Sequence, residues 1–298
     1  ILSPQESERR IRMLDYDKQF RVLSLKKYRD KPDYEIFKVK LSSISPVTKM
    51  AFDTDFYWYK PKLVGKNIKP LPLIIISPPV VGVDPMEKLI ATGFVAGKPP
   101  FYNTFILDYG EKINDKDRPI AALNNSFITS ITQGRLLIDF AETQKDSIDS
   151  KKIACYGMSL GGIMSTLLLE VDPRVDAAVV IVGGGNFPEI LRNSIQSIVK
   201  GYREARMKAE NIKTLDELEQ KTRSSLLFDP LYFAYRRSSR DIYMVIALED
   251  TAVPTKNQLE LFEAFRRPQN IKYHADHAPT IFKNLPRHKP IMDFLEWR

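Results

Sequence analysis

Cys155-Tyr156-Gly157-Met158-Ser159-Leu160-Gly161-Gly162 is the stretch on which the reading of this chain turns. It joins an apolar run, Lys152-Ile153-Ala154-Cys155-Tyr156, to a helix-like run, Ile163-Met164-Ser165-Thr166-Leu167-Leu168-Leu169, through Gly-x-Ser-x-Gly. A serine at so sharp a strand-to-helix turn has a strained backbone, and its neighbours two residues away must lack side chains for strand and helix to approach. In return the hydroxyl projects above the sheet, and the following N–H groups gather at a helix N-terminus. The motif alone arises by chance in roughly one chain in ten of this length, and a serine capping an ordinary strand-to-helix turn is the plain alternative. The strand before it, the third glycine and the apolar helix after it favour a nucleophile.

Outward from this turn the same texture repeats. Pro72-Leu73-Ile74-Ile75-Ile76, Thr104-Phe105-Ile106-Leu107, Ala177–Val182 and Ile242–Ala247 are short continuous apolar runs. Such runs fit strands covered on both faces, as in a parallel sheet. Helix-like stretches around 121–144, 160–170 and 255–267 separate them, and a last strand is expected at Asn270–His274. This rhythm predicts an α/β fold with a doubly wound, mostly parallel sheet. Tyr34–Leu41 alternates with period two and a second extended run surrounds Phe56–Tyr59, as in half-wet antiparallel strands at a sheet edge. Residues 1–30 carry Ile11, Leu14, Phe20 and Leu23 at helix-like spacing, which predicts a peripheral N-terminal helix. Residues 186–240 break the rhythm with helical patterning and no convincing strand; a structureless loop of that size is improbable in a compact domain. The expected division is a helical extension over 1–32, a core over 33–185 and 241–298, and a helical cap insertion over 186–240, sitting over the strand ends.

With the Gly157–Gly161 motif at the head of a helix, the chain resembles the α/β-hydrolase family over most of residues 33–298. The resemblance implies a serine nucleophile, then an acid after a later strand, then a histidine near the C-terminus. Asp250, in Glu249-Asp250-Thr251-Ala252-Val253-Pro254, looks like the acid-bearing turn; its spacing to Val-Pro and its shorter side chain favour it over Glu249. A carboxylate there holds an imidazole in one tautomer and stabilises the imidazolium as it forms. Helix capping is the alternative use. The three histidines are His274, His277 and His288. His277 follows the expected last strand and leads as base; His288 is the second choice and His274 the third. Acyl transfer also needs donors for a developing oxyanion, expected from the backbone N–H of Leu160 and of Val80. The loop Ser77-Pro78-Pro79-Val80-Val81-Gly82 departs from the His-Gly start of many relatives, and because proline has no N–H Val80 is the simplest donor, with Val81 next.

Composition narrows the classes. The chain has 298 residues, of which 43% are hydrophobic and 28% charged, which excludes disordered and fibrous classes. No apolar run is long enough to cross a membrane. Cys155 is the only cysteine, so no intrachain disulfide forms. The net charge of +8 is spread out: residues 186–240 hold eleven basic and seven acidic side chains, and residues 1–60 thirteen and nine. Nucleic-acid binders concentrate their charge on one face, so no nucleic acid is expected as partner. The chain starts at Ile1 without a Met, and a cytoplasmic and an exported location both stay open, as does the oligomeric state.

Three other signals are weighed. Gly183-Gly184-Gly185 lacks dinucleotide-binding spacing and reads as passage into the insertion. Asp53-Thr54-Asp55 has no third oxygen ligand and reads as a solvated hairpin. Met158, Tyr232 and Phe233 are candidate pocket residues, although for the two aromatics packing of the insertion onto the core is the preferred use. The expectation is therefore a serine hydrolase cleaving a small-molecule carboxylic ester through Ser159, His277 and Asp250, with no cofactor or metal. An acyltransferase on the same residues, or a non-catalytic binder on this scaffold, are the alternatives.

Overall fold

In the strand Leu71–Ser77 (β4), Leu73 and Ile75 pack into one apolar cluster and Ile74 and Ile76 into another on the opposite side. Period-two side-chain alternation thus buries both faces of one strand, and the same double burial recurs along the centre of the sheet. The computed structural model describes residues 2–62, 69–80, 82–83, 85–96, 99, 101–109, 115–284 and 289–296. Among these, β4 is joined by Phe20–Asp30 (β1), Tyr34–Ile44 (β2), Ala51–Pro61 (β3), Asn103–Asp108 (β5), Ile148–Met158 (β6), Ala177–Ile181 (β7), Ile242–Ala247 (β8) and Gln269–Tyr273 (β9). They form one sheet in the order β1-β2-β3-β5-β4-β6-β7-β8-β9. The first three strands are antiparallel, β3 meets β5 antiparallel, and every later pairing is parallel.

Helices cover both faces. Ala122–Thr143 (α3), Leu160–Val171 (α4) and Thr255–Ala264 (α9) contribute Leu137, Phe140, Leu168 and Phe262 to one cluster. Pro85–Val95 (α2) and Lys289–Leu295 (α11) contribute Ile90, Phe94, Ile291 and Phe294 to the other. Each such fully buried side chain contributes about 1.5–3 kcal/mol of transfer free energy, so burial on both faces is what holds the parallel strands. The helix α2 has no counterpart among the helices expected from the sequence.

The N-terminal expectation needs correction. Helix α1 covers only Pro4–Arg12, started by Pro4 and by Ser3, whose hydroxyl accepts from Glu6 N–H at 3.2 Å. Phe20 and Leu23, assigned above to a helix over 1–30, belong to the strand β1, so the span 1–32 is not a helical extension. The cause is visible in the pairing: the register of β1 on β2 shifts between Val22 and Ser24 and again between Lys27 and Arg29. Two bulges interrupt the alternation by which a strand is recognised, and Val22, Leu23 and Leu25 stay exposed on this edge strand. Asp53 and Asp55 lie in the β3 arm of the next hairpin and pair with Lys40 at 3.0 and 3.5 Å.

Between β7 and β8 the chain is helical throughout, as Phe187–Asn193 (α5), Ser197–Ala209 (α6), Leu215–Ser225 (α7) and Pro230–Phe233 (α8), with short 3-10 turns before β8. These helices pack on α3 and α4, with Ile190, Leu191, Leu218 and Phe233 against Phe127, Ile163 and Leu167. One buried carboxylate fastens both ends of the segment: Asp229 accepts from Asn186 N–H at 2.9 Å, Phe187 N–H at 2.6 Å and Leu231 N–H at 3.0 Å.

Candidate active site

Ser159 stands between the last residue of β6 and the first of α4, with φ 56° and ψ −123°. A non-glycine residue at positive φ is strained, and an ordinary N-cap has extended backbone with its side chain bonded back to the helix. The Ser159 hydroxyl makes no such capping bond. The alternative of a plain capped turn is therefore excluded. Both flanking glycines are sterically required: a Cβ on Gly157 would lie 2.1 Å from Gly161 O, and one on Gly161 would lie 2.0 Å from Ser77 O. The second contact shows how closely the loop after β4 passes over the start of α4. That approach brings Val80 into the wall of the cavity that Ser159 and Leu160 also line. As the first residue of α4, Leu160 has an N–H with no intrahelical acceptor. Val81, the other donor considered, lies outside the described residues.

Asp250 follows β8 and His277 opens the helix His277–Lys283 (α10), which begins four residues after β9 ends. The two meet through His277 Nδ1 and Asp250 Oδ2 at 2.7 Å. An ionised carboxylate only accepts, so Nδ1 carries the hydrogen, and in the neutral ring Nε2 keeps its lone pair. Asp250 Oδ1 accepts from Ala252 N–H at 2.8 Å and Val253 N–H at 3.0 Å, and Oδ2 also accepts from Gln258 Nε2 at 2.8 Å. Ala252 and Val253 line the same cavity as Ser159. Asp250 and His277 are 6% and 9% exposed, so the pair is shielded from bulk water, where a hydrogen bond of this kind is stronger. The carboxylate is thus engaged by the ring and by its own turn, while Pro254 caps α9.

The other candidates separate cleanly. Glu249 and His274 are exposed, and His274 follows the end of β9 rather than lying within it. His288 lies outside the described residues. Met158 packs into the cluster with Ile74 and Ile76, Phe233 stacks on Phe228 with centroids 5.7 Å apart, and Arg10 lies 5.2 Å over the Tyr232 ring. None of these three is in the cavity wall, which corrects their placement as pocket residues. The two aromatics are used to seat the insertion instead.

Two residues are absent from the sequence reading. Gln258 is fully buried; besides Asp250 it donates to Val253 O at 2.8 Å and accepts from Ala247 N–H at 3.0 Å, locking the acid-bearing turn. Asp276 caps α10, accepting from His277 N–H at 2.7 Å and Thr251 N–H at 3.2 Å, so it ties the histidine helix to the acid turn. These backbone N–H groups, the His277 one foremost, hold its carboxyl below the usual aspartate value. Asp276 was legible as an Asp directly before a helix; Gln258 carried no local signal.

A strained serine at a strand-to-helix turn, on a mostly parallel sheet with an Asp–His pair past its later strands, defines the α/β-hydrolase class. The sequence profile of the dienelactone hydrolase family matches residues 56–225, more than half of the chain, and the chain belongs to that family. It is an esterase-like hydrolase. Among solved structures, it resembles the acetyl xylan esterase from Paenibacillus sp. R4 at TM-score 0.68 and 16% identity, over 98% of this chain and 92% of that one. Acetyl xylan esterase 1 from Thermoanaerobacterium sp. JW/SL YS485 gives TM-score 0.63 at 16% identity, over 98% and 93%. The acylaminoacyl peptidase of Pyrococcus horikoshii gives 0.57 at 13%, over 92% of this chain and 49% of that one. At such identities the likeness speaks to the fold. A search of curated proteins by sequence finds no significant match. No helix among the described residues is long and apolar enough to cross a membrane.

Proposed function

We propose that the chain cleaves carboxylic esters of small molecules through an acyl-enzyme, with Ser159 as nucleophile, His277 as general base and acid, and Asp250 as the carboxylate that orients the ring. Nε2 of His277 takes the hydroxyl proton as Ser159 Oγ attacks the carbonyl carbon, and returns it to the leaving alkoxide. Water, deprotonated by the same nitrogen, then releases the acid and restores the serine. The N–H groups of Leu160 and Val80 receive the tetrahedral oxyanion, a contribution of about 3–4 kcal/mol per donor in sites of this kind. Residues 186–240 act as a cap over the strand ends of a core formed by 33–185 and 241–298.

The observation that carries this reading is the 2.7 Å contact of His277 Nδ1 with Asp250 Oδ2, which leaves Nε2 free to accept a proton. The test is labelling with a fluorophosphonate probe, followed by intact mass and peptide mapping. One adduct on Ser159, absent in Ser159→Ala together with p-nitrophenyl acetate hydrolysis, is expected. An adduct elsewhere, or full hydrolysis by Ser159→Ala, refutes the assignment. Product released to water rather than to an added alcohol separates hydrolysis from acyl transfer.

A further inference from the structure

The cavity beside Ser159 is enclosed on one side by the helical segment between β7 and β8. Phe187, Ile190 and Leu191 come from α5, and Val199 and Tyr202 from α6. Several bonds tie this wall to its surroundings. Arg203, on α6, donates through Nη1 to the carbonyls of Leu191, Arg192 and Ser194 at 3.0, 2.8 and 2.9 Å, which closes the C-terminal end of α5. The connection between the two helices is fastened to the acid turn by Ile195 N–H on Thr251 O at 3.0 Å. Lys256 reaches Glu189 at 2.5 Å from the other side.

Two properties of the cavity limit what it accepts. Its volume is about 50 Å³, where one water-sized group needs roughly 10–15 Å³. Its wall, among the described residues, contains no Lys, Arg, His, Asp or Glu. The Tyr202 phenol there is pushed up to about 12 by burial, so it too is uncharged at neutral pH.

We propose that this cavity is the acyl subsite, that it selects short, uncharged aliphatic acyl groups of about two to four carbons, and that α5 and α6 set the length limit. The proposal rests on the reading of Ser159 as nucleophile. A methyl to propyl chain fills the space beside the serine and is desolvated by Leu191, Ile190 and Val199. A longer chain meets a wall whose helices are pinned by Arg203 and Thr251. An acyl group ending in a carboxylate would be buried against a wall that, among the described residues, holds no cation to pair it.

The experiment is a series of p-nitrophenyl esters, from acetate through butyrate to octanoate, with the hemisuccinate as a charged comparison. For the full chain, kcat/KM is expected to rise by up to about fourfold per methylene as far as butyrate. It then falls at least about tenfold by octanoate, and the hemisuccinate is slower than butyrate by about a hundredfold. Leu191→Ala moves the optimum to longer chains, and Val199→Phe moves it to acetate. The pair keeps the test decisive, since the second adds volume at a half-buried position and does not hollow the core. A profile still rising at octanoate, a hemisuccinate equal to butyrate, or an optimum unmoved by both variants overturns the proposal. Fluorophosphonate labelling separates the two levels. With Ser159 labelled and the profile wrong, only the acyl-subsite inference falls; with no label and no ester cleaved, the reading of Ser159 falls as well.

Discussion

Replacing Asp250 by asparagine tests the proposed chemistry most sharply, because the structure dictates how the amide must sit. Oδ1 of Asp250 accepts from the N–H groups of Ala252 and Val253 at 2.8 and 3.0 Å. The asparagine oxygen is needed there, since an NH2 group would face two donors. The NH2 therefore falls at the Oδ2 position, 2.7 Å from His277 Nδ1 and 2.8 Å from Gln258 Nε2. Facing a donor, Nδ1 must become the acceptor and the ring hydrogen moves to Nε2. In that tautomer the ring has no lone pair for the Ser159 proton.

Where the same exchange leaves a triad's geometry intact, kcat falls about 10⁴-fold, or about 5–6 kcal/mol at 1.36 kcal/mol per tenfold. Stability falls by less, about 1–3 kcal/mol, because the Gln258 amide now meets a donor in a buried site. The assay is kcat/KM for p-nitrophenyl acetate with wild type and Asp250→Asn side by side, with thermal unfolding to show that both are folded. A folded variant with less than about a thirtyfold loss would refute the tautomer argument, and with it the role of Asp250.

Two further outcomes follow from the packing. Gly161→Ala places a Cβ 2.0 Å from the backbone oxygen of Ser77, whereas Gly134→Ala meets only the flexible Leu168 side chain at 2.7 Å. The first should abolish ester hydrolysis and cost about 2 kcal/mol or more in denaturant unfolding, while the second retains hydrolysis; equal behaviour of the two refutes the close approach of the loop to α4. Glu170 is 1% exposed, neither carboxyl oxygen has a hydrogen-bond partner among the described residues, and burial, followed by the neighbouring Asp229, raises its pKa well above 4.5. The folded state then holds a proton that the unfolded chain has lost, so stability falls as pH rises from about 4.5 towards the folded-state value. Glu170→Met is expected to stabilise by about 1–3 kcal/mol near pH 8 and by less near pH 5, and a difference constant with pH in thermal unfolding refutes it.

What could be read from the chain follows from where each signal is encoded. The apolar runs Leu73–Ile76 and Ile242–Ala247 announce strands because double burial removes polar residues from both faces, and β8 begins and ends where its run does. The Gly157–Gly161 spacing is equally local, since strand and helix approach within five residues. Strand β1 is the opposite case. It pairs its backbone with β2 on one side only and bulges twice, so neither periodicity survives in Phe20–Asp30. The cavity wall is not encoded locally, for a related reason. Aromatic density in Leu231–Tyr235 signals burial but not the surface against which burial occurs. Leu191 and Ile190 reach the cavity because Asp229 closes the segment on itself across more than forty residues. Gln258 is the same kind of omission, as its three partners come from β8 and from the turn before α9.

Those long-range bonds also bear on how the proposed reaction depends on the helical segment. Ile195 N–H is bonded to Thr251 O, Thr251 N–H to Asp276, and Asp276 to the N–H of His277. A single path of backbone and carboxylate contacts thus runs from the α5–α6 connection, through the acid turn, to the residue that carries the imidazole. The α5–α6 connection is bonded directly to Thr251, and Thr251 is the immediate neighbour of Asp250. The proposed acyl subsite and the Asp250–His277 pair therefore share one scaffold. A change in the helical wall that merely loosened substrate would raise KM at constant kcat. A change that shifts the α5–α6 connection alters the Asp250–His277 geometry as well, and its effect falls on kcat because misplacement of the reacting groups by about 1 Å costs about a hundredfold.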